Sequence, residues 1–118
     1  MKSGVAAVQM DKREALRKAG LFADLVNRKY KPREIILFGS YAKNTYREES
    51  DIDIAVVLDR IEDNFLEKET DLYKIRRTID ENIEPVLLDA SDDKTGFLEQ
   101  IEKDGEIIYK RELEHVKY

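Results

Sequence analysis

The stretch ILFGSYAKNTYREESDIDIAVVLD, residues 36–59, constrains the fold more than any other part of the chain. Two apolar runs, at 35–38 and 54–58, lie either side of a polar interval. Runs this short, bounded by turn residues, read as buried strands rather than helices. The first ends in Gly39-Ser40 and the second opens with Asp51-Ile52-Asp53. Residues i and i+2 of a strand share a face. Asp51 and Asp53 therefore project side by side, and Ile52 points the other way into packing. Two such carboxylates repel each other unless a cation lies between them or one takes a proton. Hard divalent ions such as Mg²⁺ take oxygen ligands, commonly one or two carboxylates plus substrate phosphates.

A DxD alone is usually a solvated strand end, because short motifs recur by accident. Gly39-Ser40 alters that weighing. Glycine at a strand end admits a close approach to the backbone. A short helix over 41–46, capped by Ser40, would aim free N–H groups and a hydroxyl at an anion. The Lys-Ser/Thr ending of a Walker A loop is missing. A phosphate cradle followed by a metal-binding pair is nevertheless what a nucleoside triphosphate with Mg²⁺ requires.

The rest of the chain supplies a small α/β (α+β) frame. A helix is expected over 11–30, where Leu16, Ala19, Ala23 and Val26 recur at helical spacing, and Lys31-Pro32 ends it. Strands are expected at Glu34–Phe38, 51–58, 83–88 and Glu106–Lys110. Both faces of 51–58 are apolar beyond the aspartates, so it should be central and covered. Pro85 places 83–88 toward a sheet edge, or marks the first residues of the strand. A helix over 63–82 would carry the stripe Phe65, Leu66, Leu72, Ile75 and Ile79. Another over 94–103 would stop at Asp104-Gly105, a common glycine end signal. The charged tail 111–118 contains the single histidine, His115, expected to be a solvated surface residue. Helices thus alternate with strands around one small mixed sheet, in a single domain spanning 1–118.

Glu84 opens the third strand and shares a face with Val86 and Leu88. A glutamate on an apolar strand face is unusual, because an unpaired buried charge is costly. Taken by itself it would sit in a turn just outside the sheet. Composition narrows the class. A net charge of −5 disfavours general nucleic-acid binding, which leaves a basic footprint. With no cysteine there is no disulfide framework and no thiolate metal site. No apolar run is long enough to span a bilayer, and no signal peptide is legible at the start, so a cytoplasmic location is expected.

Gly39-Ser40, ten residues, Asp51-Ile52-Asp53 and a later strand acid together resemble the DNA polymerase beta-like nucleotidyltransferase superfamily. The string FGSYAKNTYREESDIDIAVV looks like its smallest members, the minimal nucleotidyltransferases, antitoxins often paired with HEPN-domain toxins. The resemblance covers nearly the whole chain. It departs at Lys43-Asn44, where family members often carry Arg-Gly. Lys43 keeps the charge, and asparagine can enter the left-handed conformation with modest strain. The resemblance implies that Asp51, Asp53 and Glu84 are catalytic and hold two Mg²⁺ ions. Glu84 would also help to deprotonate the acceptor. Gly39, Ser40, Lys43 and Ser50 would handle the nucleotide. The implied reaction moves AMP from ATP to a hydroxyl of the partner toxin. Two other functions fit the same residues: an antitoxin that inhibits by binding alone, and a transferase acting on a small molecule in a pocket built by an oligomer. Tyr41 and Tyr46 are candidates for stacking on a base, although packing beneath the short helix suits them better.

Overall fold

A computed structural model of the protein describes residues 11–112. The expected tail from Leu113 on, with His115, lies outside them. Helix α1 (Lys12–Tyr30) starts at Asp11, whose side chain accepts from the Glu14 N–H at 2.9 Å. It ends at Lys31, which is left-handed (φ 49°) just before Pro32. Its buried line is Ala15, Ala19, Phe22, Ala23 and Val26. Leu16 packs only at the margin, and Phe22 joins the expected alanines and valine as the largest buried group of the helix.

Strand β1 (Glu34–Phe38) leads into the single-turn helix α2 (Ser40–Lys43), then β2 (Ile52–Leu58), α3 (Phe65–Arg77), β3 (Ile83–Asp89), α4 (Phe97–Asp104) and β4 (Glu106–Lys110). Among the described residues the strands form one sheet in the order β3-β2-β1-β4. β1 pairs antiparallel with both β2 and β4, and β2 pairs parallel with β3. A parallel neighbour needs a crossover, and α3 supplies it. The mixed sheet with flanking helices is the expected architecture. β2 is internal and β3 is an edge strand, so Pro85, which has no N–H to donate, sits where the ladder can spare one.

Alternation along the strands divides two cores. Ile35, Leu37, Ile52, Ile54, Val56, Ile83 and Leu87 meet α1 and Leu72 of α3 on one face. Ile36, Ala55 and Val57 meet Leu98 and Ile101 of α4 on the other. Only one residue of β2 escapes full burial, and it is Asp53.

Three expectations about the elements need correction. Helix α3 is shorter than 63–82. Asn64 is left-handed (φ 58°) at its start, and at its end the Thr78 hydroxyl donates to the Ile75 carbonyl at 2.8 Å while Asp80 accepts from the Asn82 N–H at 2.7 Å, turning the chain into β3. Its expected stripe is only partly used: Leu72 is buried, whereas Phe65 and Leu66 are exposed. Helix α4 begins later than 94, because Gly96 is left-handed and Asp93 caps the first turn by accepting from the Leu98 and Glu99 N–H groups at 2.9 and 3.0 Å. Gly105 ends α4, yet its backbone is extended rather than left-handed. Glycine is needed there for space: a Cβ would lie 2.5 Å from the Ile101 carbonyl oxygen and 2.7 Å from Ile36 Cγ2. No helix among the described residues is long and apolar enough to cross a membrane.

Candidate active site

Strand β2 places Asp53 between two neighbours. Its Cα partner on β1 is Phe38, the residue before Gly39, and its partner on β3 is Glu84. Ile52 is fully buried, so Asp53 is held on the face opposite the α1–α3 core, the face that Ala55 and Val57 share. Asp51 lies just ahead of β2 and is exposed. Strand β2 thus begins one residue later than expected, so Asp53 is fixed in the strand while Asp51 stands just before it.

Gly39 joins the two halves of the motif. Its φ is +75°, a left-handed conformation that favours glycine. A Cβ there would also overlap Asp53 Oδ2. The glycine thus lets the backbone at the end of β1 lie directly against the carboxylate of β2. Gly39 is itself the cap of α2, and Ser40 is the first helical residue rather than the cap. The Ser40 hydroxyl has no hydrogen bond to another described residue, whereas its carbonyl accepts from the Thr45 N–H at 2.9 Å. Asn44 closes the turn in the left-handed conformation (φ 61°), the role expected of it in place of glycine. Lys43 is exposed and makes no ion pair with another described residue. It lines a cleft of about 150 Å³ with Phe38, Gly39, Phe97 and Gln100. Ser50 folds the approach to Asp51: its hydroxyl accepts from the Arg47 N–H at 2.7 Å. Tyr41 is fully buried and stacks on Tyr46 with ring centres 4.6 Å apart, so packing claims both rings.

Glu84 is half-buried in β3 itself, not in a turn outside it. The Tyr73 hydroxyl of α3 donates to its Oε2 at 3.0 Å, and Arg76 Nη1 lies 3.8 Å from Oε1. Sequence reasoning missed both partners. Their spacing, i and i+3 on a helix, was the only available sign, and it does not indicate a strand glutamate.

The electrostatics tie the three acids together. Burial, then the charge of Asp51, then that of Glu84 push the Asp53 carboxyl up to about 6. A cation at this point would relieve that unfavourable charge. The donors are all carboxylate oxygens, the set that a hard ion such as Mg²⁺ accepts. Among the described residues no three acidic or histidine side chains are drawn together as a finished metal cage. Asp51 and Asp53 fit such an ion in chemistry and in charge, while Glu84 is held toward α3 by Tyr73 and Arg76. A wider surface hollow, about 850 Å³, lies elsewhere, lined by Lys29, Tyr30, Leu66, Asp71 and Lys74 among others. None of the expected site residues lines it.

A 40-residue segment is 55% identical to a Methanocaldococcus jannaschii protein provisionally named a protein adenylyltransferase; it spans 32% of this chain and 40% of that protein's length. A Sulfolobus solfataricus protein provisionally described as a nucleotidyltransferase superposes with a TM-score of 0.64 at 25% identity, covering 94% of this chain and 93% of that one. A toxin–antitoxin structure with AMP-PNP matches at 26% identity and a TM-score of 0.56, covering 78% of this chain and 73% of that one. The family described as "Polymerase beta, Nucleotidyltransferase" matches residues 22–114, and so the chain belongs to the polymerase beta nucleotidyltransferase family.

Proposed function

We propose that the protein transfers AMP from ATP to a side-chain hydroxyl of a partner HEPN-domain toxin and thereby neutralises it. The observation that carries this reading is the close approach of Gly39 to Asp53, which sets against that acid a turn whose Ser40 hydroxyl bonds no other described residue. The name of the M. jannaschii relative and the toxin–antitoxin structure with AMP-PNP support the same reading.

In this mechanism Ser40, the backbone at Gly39 and Lys43 hold the triphosphate, and Ser50 keeps the turn before Asp51 in place. Asp51, Asp53 and Glu84 would hold Mg²⁺, two ions in the full site, which when bound would offset charge on the triphosphate and lower the pKa of the acceptor hydroxyl. The acceptor oxygen attacks the α-phosphorus, the bond to the β-phosphate oxygen breaks, and pyrophosphate leaves. Glu84, exposed on one side, takes the acceptor's proton. No covalent link to the enzyme is needed. Aligning the acceptor with the nucleotide supplies much of the catalysis in phosphoryl transfer, and here the partner presents that acceptor.

Intact-mass measurement of a HEPN partner incubated with the chain, ATP and Mg²⁺ tests this. The expected result is an added AMP mass on the partner, and none with the Asp51→Asn, Asp53→Asn double variant. If the double variant still silences the toxin with no mass change in either protein, inhibition is by binding alone. Transfer to a small molecule but never to the partner would favour the small-acceptor alternative.

A further inference from the structure

Glu84 stands on an edge strand with its side chain 45% exposed. A glutamate so placed ordinarily samples several rotamers, which is a poor way to hold an oxygen beside Asp53. Helix α3 removes that freedom. The Tyr73 hydroxyl donates to Oε2 at 3.0 Å. Arg76 lies over the Tyr73 ring, with its guanidinium carbon 4.7 Å from the ring centre. The same Arg76 donates from Nη1 to the carbonyls of Glu81 and Ile83, each at 3.0 Å. Both Nη1 hydrogens are then committed to the backbone that leads into β3. At 3.8 Å from Oε1, that nitrogen contributes charge to Glu84 rather than a hydrogen bond.

We propose that Tyr73 and Arg76 are positioning residues: Tyr73 grips Glu84 by Oε2 and so limits where the carboxylate can lie relative to Asp53, while Arg76 fixes both the Tyr73 ring and the start of β3. The inference rests on the proposed function, in which Glu84 serves the metal and the acceptor. Partners of this kind, one hydrogen bond behind a metal-binding carboxylate, typically change metal affinity or activity about 10–100-fold when removed. Tyr73→Phe deletes only the hydroxyl and keeps the ring under Arg76, so it separates positioning from packing.

The experiment measures Mn²⁺ affinity by electron paramagnetic resonance, AMP-transfer kinetics and thermal unfolding for the wild type, Tyr73→Phe, Glu84→Gln and the double variant. Tyr73→Phe is expected to weaken Mn²⁺ binding and lower kcat about tenfold, leaving the nucleotide KM and the melting temperature unchanged. Its effect should vanish in the Glu84→Gln background, because Tyr73 acts only through that carboxylate. Arg76→Lys, which keeps a cation but cannot reproduce the two-carbonyl grip, should fall in the same direction. If Tyr73→Phe matches the wild type while Glu84→Gln is impaired, or if the two changes are additive, the clamp is wrong and the proposed function stands. If Glu84→Gln itself matches the wild type in Mn²⁺ binding and transfer, the role given to Glu84 fails and the inference with it.

Discussion

At the residue scale the site is a set of close approaches. Asp53 is an acid whose folded-state pKa, about 6, lies above its ordinary value of 3.8. The folded protein therefore binds the extra proton between those values. Metal-free stability should fall as pH rises from about 4 to 6, and the deficit should persist at neutral pH. Asp53→Asn keeps the shape and removes the charge. In chelator at pH 7.5 this variant should be more stable than the wild type by about 1–2 kcal/mol, after solvent screening is allowed for. The difference should disappear near pH 3. Its AMP transfer should fall more than about 100-fold, a larger loss than removal of an outer-shell partner causes. Paired denaturant titrations and a transfer assay check both halves; a less stable variant, or an active one, contradicts them. Gly39→Ala should be worse for the fold. It places a Cβ on Asp53 Oδ2 at a positive φ, and the combined clash and strain should cost about 2–4 kcal/mol. Urea unfolding of Gly39→Ala in chelator measures this, and an unchanged midpoint refutes the close approach.

At the scale of elements, α4 covers the second face of the sheet through a small core of Ile36, Ala55, Val57, Leu98 and Ile101. One acid lies beside that core. Glu34, at the start of β1, is 2% exposed. Burial, then a hydrogen bond and the charge of Glu102 on α4, raise its carboxyl to about 7, against the smaller opposing pull of Lys110 on β4 and of Arg33. A carboxyl raised in the folded state stabilises the fold least where it must ionise. Docking of α4 should therefore weaken as pH climbs from about 4.5 to 7. Glu34→Gln, which imitates the protonated form, is expected to be about 1–2 kcal/mol more stable than the wild type at pH 8 and equal to it at pH 4. Melting curves of both proteins at the two pH values decide this; equal stability at pH 8 would mean that burial does not raise the Glu34 carboxyl. On the other face, α1 is joined to α3 by Lys29 and Tyr30, both on Asp71, and to the turn after α3 by Lys18 on Asp80. The exposed Lys29–Asp71 pair contributes little. The apolar line through Phe22 and Leu72 holds that layer.

Across the whole molecule, one end of the sheet gathers the Gly39 turn and the three acids. The end of β1, the start of β2 and the start of β3 meet there, because β1 runs antiparallel to β2 and β3 runs parallel to it. The carboxylates of Asp51, Asp53 and Glu84 share one charge problem there, and under the proposed function a divalent ion would relieve it only in the folded state. Mg²⁺ should therefore raise the unfolding free energy by about 2.7 kcal/mol at one hundred times its Kd, by the mass-action relation for a ligand of the native state. Calorimetric melts across a Mg²⁺ series would follow this, with Asp51→Asn, Asp53→Asn as the control that loses the shift. A shift of equal size in the control would place the ion elsewhere.

Local chemistry made a good part of this legible in the amino-acid order. The period-2 pattern placed Asp53 opposite Ile52, and the apolar run behind it required a covered inner strand. Pro85 announced an edge strand, and Asn44 a left-handed turn, because both are backbone constraints that act within a residue or two. The limits of α3 and α4 were not legible. They depend on Asn64 and Gly96 taking positive φ and on Asp80 and Asp93 bonding backbone several residues away, choices made when the helices pack. Phe65 and Leu66 show the same limit from the other direction: helical period names a stripe, and the neighbouring surface decides how much of it is buried. Only the tertiary structure brought Gly39 against Asp53, paired Asp53 with Glu84 and set Tyr73 on the glutamate. Those contacts span different strands and a helix, and strand order and register, which no local pattern encodes, determine which residues meet.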